Sequence, residues 1–179
     1  MTRAHGESAV SLTPPRIAVV TVSDGVAAGT RADESGAAIR EWIVTRGSSV
    51  AAHEVVPDGA DRVSAVLLAL ADRDDVDVVL TTGGTGLTAR DITPEATRAV
   101  LERDVPGVAE RLRSAGADST PYAALSRGVA GQRGSTLIVN LPGSTGGVRD
   151  GLRVLDAIID HAVQLLRGVN TESHDPPHA

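Results

Sequence analysis

Val76-Asp77-Val78-Val79-Leu80-Thr81-Thr82 runs without a break into Gly83-Gly84-Thr85-Gly86, and the fold is decided by reading that junction. The first half is a strand, and the second is a glycine-rich exit from it. Ile17-Ala18-Val19-Val20-Thr21-Val22 upstream is a shorter run of the same kind. Apolar, β-branched and without polar alternation, it reads as a strand covered on both faces, as in a parallel sheet. Between the two runs the period changes. A helix is expected from near Ser35, with Ala38, Ile39, Trp42 and Ile43 on one face and Gly47 as its stop. Ser49 to Val56 reads as a strand, and Val63, Val66, Leu67 and Leu70 recur at helical spacing.

Beyond Gly86 the pattern predicts a helix from Pro94 to Glu102 and another starting at Pro106. Strands are expected near Ala123 to Val129 and Ser135 to Leu141. One last helix carries Val148, Leu152, Leu155, Ile159, Ala162 and Leu166, capped by Ser144 and stopped by Gly168. Strand and helix in alternation predict an α/β fold, a three-layer α/β/α sandwich with a mostly parallel central sheet. Residues 1–15 read as a flexible leader, 16–168 as one domain and 169–179 as a flexible tail.

Composition removes several function classes. The 179 residues contain no Cys, so disulfides, thiolate metal sites and Cys nucleophiles are excluded. Aromatics make up 1%, Trp42 and Tyr122 alone, which argues against a base-stacking nucleic-acid binder. A net charge of −6 gives a phosphate backbone nothing to bind, so no nucleic-acid partner is expected. No apolar run has the length of a membrane span and no signal peptide is evident, so the expectation is a cytoplasmic protein without a membrane partner. The histidines show no paired metal-ligand spacing, and His161 reads as a partly buried packing residue.

Ligands of open α/β sheets bind beyond the carboxyl ends of the strands. Four unusual segments fall there: Ser23-Asp24, Pro57-Asp58-Gly59, Thr81 to Gly86, and Asn140-Leu141-Pro142-Gly143-Ser144. The glycines of the third let backbone N–H groups approach an anion, and Thr81, Thr82 and Thr85 add hydroxyls. It is neither a Walker A loop, since no Gly-Lys-Ser/Thr follows, nor the dinucleotide fingerprint. Asp91 alone reads as a helix cap or turn residue, and Asp58 as a β-turn residue. If they converge, two hard oxygen ligands beside a phosphate cradle suit Mg²⁺. Ser126-Arg127-Gly128 offers a hydroxyl and a cation, or a plain exposed turn.

The same segments, in this order, resemble the MogA/MoaB family of molybdenum-cofactor biosynthesis, also found as the G domain of gephyrin-like proteins. The likeness is carried by Thr21 to Gly25, Asp33-Glu34-Ser35-Gly36, Val55-Val56-Pro57-Asp58, Thr81 to Gly86, Arg90-Asp91-Ile92-Thr93-Pro94-Glu95-Ala96, Leu125-Ser126-Arg127 and Val139 to Gly143. The resemblance implies a homotrimer that binds molybdopterin at the glycine-rich rim. It implies a Mg²⁺-dependent adenylyltransferase, which joins molybdopterin to AMP from ATP, releases pyrophosphate and hands its product to a MoeA-like molybdenum insertase. By motif position, Asp58 and Asp91 match the catalytic and metal-binding acids. Ser23, Asp24, Gly83, Gly84, Thr85, Gly86, Ser126, Asn140, Pro142 and Gly143 match the molybdopterin- and nucleotide-binding segments. The alternative within the family is a MoaB-type molybdopterin-binding or scaffold protein without adenylyl transfer. Two positions depart from the family pattern. Thr145 stands where a proline is expected, and the loop from Ala27 to Ala32 lacks the aromatic residue often found before its Asp.

Overall fold

A computed structural model describes residues 13–168. The expectations for a flexible leader and tail fall almost entirely on residues 1–12 and 169–179, outside the described residues. The elements, in chain order, are β1 Arg16–Val22, α1 Asp24–Ala27, α2 Glu34–Thr45, β2 Ser49–Val56, α3 Ala60–Ala71, β3 Val78–Thr82, α4 Thr93–Arg98, β4 Arg103–Asp104, α5 Pro106–Ala117, a 3-10 turn Pro121–Leu125, β5 Ala130–Arg133, β6 Thr136–Leu141, α6 Thr145–Asp156 and α7 Ile159–Leu166. The sheet order is β2-β1-β3-β6-β5-β4. The first four strands are parallel, and β5 and β4 close one edge antiparallel.

Strand side chains alternate between two cores, because successive Cβ atoms point to opposite faces. Ile17, Val19, Val78, Leu80, Leu137, Val139 and Leu141 pack under α2, α6 and α7, with Val108 and Leu112 of α5 at the margin. Ala18, Val20, Val22, Val79 and Ile138 pack under α3 and the α4 region. The layers are thus helix, sheet and helix, as the alternation of periods predicts.

Some boundaries differ from expectation, each for a local physical reason. The strand expected near Ala123 to Val129 is a 3-10 turn followed by extended chain, and the strand proper is β5. Pro121 has no N–H for a ladder, and the Thr120 hydroxyl caps the turn by accepting from Tyr122 N at 3.4 Å. β5 returns into β6 through Gly134 at φ +52°.

The single last helix is two helices, α6 and α7. Ala157 N and Ile158 N bond three residues back, to Val154 O at 3.3 Å and Leu155 O at 3.0 Å, and tighten the turn between them. Leu155 and Ile159 stay in phase across this break, which is why the apolar stripe conceals it. The expected Ser144 cap is present, with its Oγ accepting from Gly147 N at 3.2 Å.

The helix expected from Pro94 to Glu102 stops at Arg98. Glu102 N and Val105 N are drawn to the sheet, bonding Gln132 O at 2.9 Å and Ala130 O at 2.8 Å around the two-residue edge strand β4. β3 starts at Val78; Asp77 just before it bonds both neighbouring strands through its backbone, to Arg16 O at 2.9 Å and from Leu137 N at 3.0 Å, and turns its side chain to Arg16 and Arg167. His161 is exposed rather than partly buried.

Candidate active site at the carboxyl rim of the sheet

The parallel strands β1, β2, β3 and β6 end on one rim, and each delivers a loop to it. β1 ends at Val22, and the next residue, Ser23, caps the one-turn helix α1 with an Oγ that accepts from Val26 N at 3.4 Å. That places Asp24 against Asp58 from the end of β2. Asp24 N donates to Asp58 Oδ2 at 3.1 Å, and Asp58 N donates to Asp24 Oδ1 at 3.0 Å. This exchange pins both loops. The Arg90 guanidinium bridges the pair, bonded to Asp24 and 3.6 Å from Asp58 Oδ2.

β3 delivers the glycine loop. Gly83 has φ +95°, and a Cβ there would lie 2.3 Å from the Val22 carbonyl oxygen. The loop therefore turns left-handed directly against the end of β1, which only glycine permits. Gly83→Ala is expected to cost about 2–4 kcal/mol in urea unfolding, through strain plus a clash with backbone that cannot move. Gly134→Ala is the control, since φ there is also positive but no atom lies within 4 Å of the Cβ. It is expected to cost about 1 kcal/mol. Equal losses for the two would overturn the close-approach reading.

Two of the threonine hydroxyls expected to face a ligand hold the rim together instead. Thr82 Oγ1 donates to Pro142 O at 2.7 Å, tying the β3 exit to the β6 exit. Thr81 Oγ1 accepts from Asn140 Nδ2 at 3.0 Å. The Asn140 amide also donates to Thr97 Oγ1 at 2.9 Å and accepts from Val129 N at 3.2 Å. Asn140 is buried, and these three bonds fix its side chain at the rim, where it is also part of the cavity wall.

Asp91 is fixed by its own loop. Its Oδ2 accepts from Thr88 N at 2.8 Å and Thr88 Oγ1 at 2.6 Å. The Thr88 hydrogen bonds, together with one from the Gly86 backbone, hold its carboxyl below the usual carboxylate range. Asp58 moves the other way: burial, and then the charge of Asp91, push it above its ordinary value. The charge of Asp91 thus reaches Asp58 from a separate loop.

A group whose pKa is raised by folding costs stability once ionised, so neutral pH is the unfavourable side for Asp58. Asp58→Asn is expected to stabilise the ligand-free protein by about 0.5–1 kcal/mol at pH 7. The gain should fade as pH falls into the carboxylate range, as read by thermal melts across pH. A variant less stable than the parent at pH 7 would contradict it.

Arg127 is the residue whose role the sequence least disclosed. The sequence offers a cation or a plain exposed turn there, whereas its guanidinium donates to Gly86 O at 2.7 Å and also bonds Asp91 O and Glu95. With Arg127 N on Thr85 O at 2.9 Å, it fastens the glycine loop to the Asp91 loop. Arg90 is a second omission, its only signal being its place beside Asp91.

A cavity of about 350 Å³ opens from this rim. Its wall runs from Gly84, Thr85, Gly86 and Asp91 past Ser126, Pro142 and Gly143 to Leu112 on α5 and Asp150 on α6. The volume suits a bicyclic heterocycle with a short side chain. Ser23, Asp24 and Asp58 lie outside this wall, toward β2. Asp91 joins the two regions, since it lines the cavity and its charge reaches Asp58.

Fold and rim together define an open α/β protein, with a glycine-rich loop at the strand ends and a cavity beside it. The family model described as a probable molybdopterin binding domain matches residues 18–161, and the chain belongs to this family. Among solved structures, the molybdopterin biosynthesis enzyme MoaB from Thermus thermophilus is 50% identical with a TM-score of 0.80, covering 86% of this chain and 96% of that one. A molybdopterin adenylyltransferase of Helicobacter pylori is 38% identical over 154 residues, covering 85% of this chain and 88% of that protein. A molybdenum cofactor biosynthesis bifunctional protein of Chlorobaculum tepidum is 38% identical over 166 residues, covering 93% of this chain. The chain spans only 53% of that bifunctional protein and 25% of a further curated relative, cinnamon of Drosophila melanogaster. Among the described residues no helix is long and apolar enough to cross a membrane.

Proposed function

We propose that the chain serves molybdenum-cofactor biosynthesis by adenylylating molybdopterin with ATP. The observation that carries this reading is the placement of two carboxylates at the glycine rim, Asp91 on the cavity wall and Asp58 on the neighbouring loop against Asp24 and Arg90. The likeness to a protein named molybdopterin adenylyltransferase supports it.

In this reading, a phosphate oxygen of molybdopterin attacks the α-phosphorus of ATP. A new P–O–P linkage forms, and the bond from the α-phosphorus to the bridging oxygen of the β-phosphate breaks. Its electron pair leaves with pyrophosphate. Such transfers depend on positioning and charge neutralisation and need no side-chain nucleophile. Gly84, Gly86 and Gly143 bring backbone close to the monoester, with Gly83 turning the loop against the end of β1, while Ser126 and Thr85 line its side of the cavity. Ser23 and Asp24 shape the adjoining nucleotide side, where Arg90 faces the carboxylates and adds a positive charge.

Among the described residues no cluster of three or more His, Asp or Glu is placed to hold a metal. Two carboxylates are nevertheless what Mg²⁺ takes when phosphate and water complete its shell. The repulsion between Asp58 and Asp91 fits a pair that a cation would relieve. Mg²⁺ held there would neutralise charge on the triphosphate as the leaving group departs. Assembly as a homotrimer and delivery of the product to a MoeA-like insertase belong to the same proposal, and the bifunctional relative supports such a coupling.

A second reading is molybdopterin binding without transfer. It is favoured by the likeness to proteins named MoaB and molybdenum cofactor biosynthesis protein B. The test is incubation of the protein with molybdopterin, ATP and Mg²⁺, with mass spectrometry of the pterin. Adenylylated molybdopterin is the expected product. Tight pterin binding with no such product would establish the second reading instead.

A further inference from the structure

Asp150 does not enter the chemistry above, yet it is the other carboxylate on the cavity wall. It sits on α6 and is only 7% exposed. Its one partner among the described residues is Arg153, a turn further along α6, whose side chain is 73% exposed. The wall there includes Leu112 and Ala109 of α5 and the glycines at 147 and 151, while Arg113 of α5, also on the wall, donates to Gly128 O at 3.0 Å. Gly151 allows the helix to approach β6 closely, since a Cβ there would lie 2.7 Å from Leu141 Cδ2. That approach sets Asp150 into the cavity rather than over solvent.

A carboxylate in such a place is costly unless its oxygens are met by donors. Arg153 meets Oδ1 with an exposed guanidinium and leaves Oδ2 without a protein donor among the described residues, on a residue that lines the cavity. The matching ligand group is a pair of parallel N–H donors, the planar fork with which a guanidinium binds a carboxylate.

We infer that Asp150 recognises the 2-amino-4-oxo edge of the pteridine, whose ring N–H and amino N–H form such a fork. The inference rests on the molybdopterin reading above and adds the polarity of the bound ligand. The heterocycle lies against α6, its phosphate reaches the glycine rim, and the nucleotide is left to the Asp58 side. Adenine presents a donor beside an acceptor on the corresponding edge, and a carboxylate rejects it. Guanine carries the same fork as the pterin, so the assay separates those two sources.

The experiment is equilibrium binding without ATP, read by pteridine fluorescence. The probes are 6-hydroxymethylpterin phosphate and its lumazine counterpart, in which the 2-amino group is replaced by oxygen. GMP is added as a competitor. The wild-type protein is expected to prefer the pterin about tenfold or more, the scale of a charged hydrogen-bond pair. Asp150→Asn, which can donate to the lumazine oxygen, is expected to erase or invert that preference. Arg153→Ala, which keeps the carboxylate, is expected to preserve it.

An unchanged preference in a folded Asp150→Asn variant overturns the inference and leaves the pterin reading standing. A wild-type protein that binds both pteridines equally also overturns it, without any variant. Binding of neither removes the pterin reading and this inference together. GMP competing as strongly as the pterin phosphate transfers the subsite to guanine nucleotides and overturns it as stated.

Discussion

Asp91→Asn is expected to lower adenylyl transfer by about 10²–10³-fold while changing pterin binding less than about threefold. The asymmetry follows from how Asp91 is held. Its backbone N–H bonds Thr88 O at 3.0 Å, and its loop is fastened from outside by Arg127. The loop therefore keeps its shape when the carboxylate becomes an amide. An Asn retains one acceptor for Thr88 but brings no negative charge to the Asp58 side. Product formation followed by mass spectrometry measures the first quantity, and fluorescence titration with the pterin phosphate measures the second. Turnover within about threefold of the parent would remove Asp91 from the transfer step. A parallel loss of pterin binding would make it a residue of the pterin site alone.

Asp77→Asn is expected to cost about 2–3 kcal/mol of folding stability at pH 7. Asp77 lies at the opposite end of the sheet from the rim. It accepts from Arg16 N at 2.8 Å, Arg16 Nε and Nη2 at 2.9 Å, and Arg167 Nε at 3.1 Å and Nη2 at 2.7 Å. Its side chain is 5% exposed, and burial alone would raise its carboxyl. The two guanidiniums outweigh burial and hold it far below the usual carboxylate range.

A carboxyl depressed by folding contributes its full stability above the unfolded pKa, near about 4. It loses that contribution as pH falls toward the folded value. Parent and variant are therefore expected to differ most at neutral pH and to converge under acid, in urea titrations read by circular dichroism. A gap that stays constant from pH 7 to about pH 2 would contradict the assignment. Arg16 and Arg167 are each partly open to water and can be hydrated in the variant, which keeps the loss below that of a sealed ion pair.

Much of the fold was legible because strand and helix differ in period, and the period is local. Ile17 to Val22 and Ser49 to Val56 read as strands, and Val63, Val66, Leu67 and Leu70 as one helix face. The features that escaped depend on contacts far along the chain. β4, a strand of Arg103 and Asp104, has no apolar signal and exists through its pairing with Gln132 and Gly131. The 3-10 turn at Pro121–Leu125 was masked by β-compatible neighbours. The division between α6 and α7 preserves the stripe and so leaves no periodic trace.

The site divides in the same way. The amino-acid sequence by itself determined where a ligand loop can form. Thr81 to Gly86 leaves a buried strand with glycines that permit positive φ, and the carboxyl ends of parallel strands must share one rim. It also determined the family, through short segments whose order is fixed in the chain. The tertiary structure alone decided which groups meet. The Asp24–Asp58 exchange requires β1 and β2 to be neighbours. The repulsion of Asp58 by Asp91 requires two loops separated by 33 positions to converge. The hydrogen bonds by which Asn140 and Arg127 hold strands and loops together leave no mark in the sequence, and Asn140 lines the cavity as well. Asp150 belongs to no motif, and its place on the cavity wall follows from Gly151 bringing its helix close to Leu141 of β6. The physical reason is common to all four: a period reports which face a side chain takes, whereas its partners are set by strand order and packing distance.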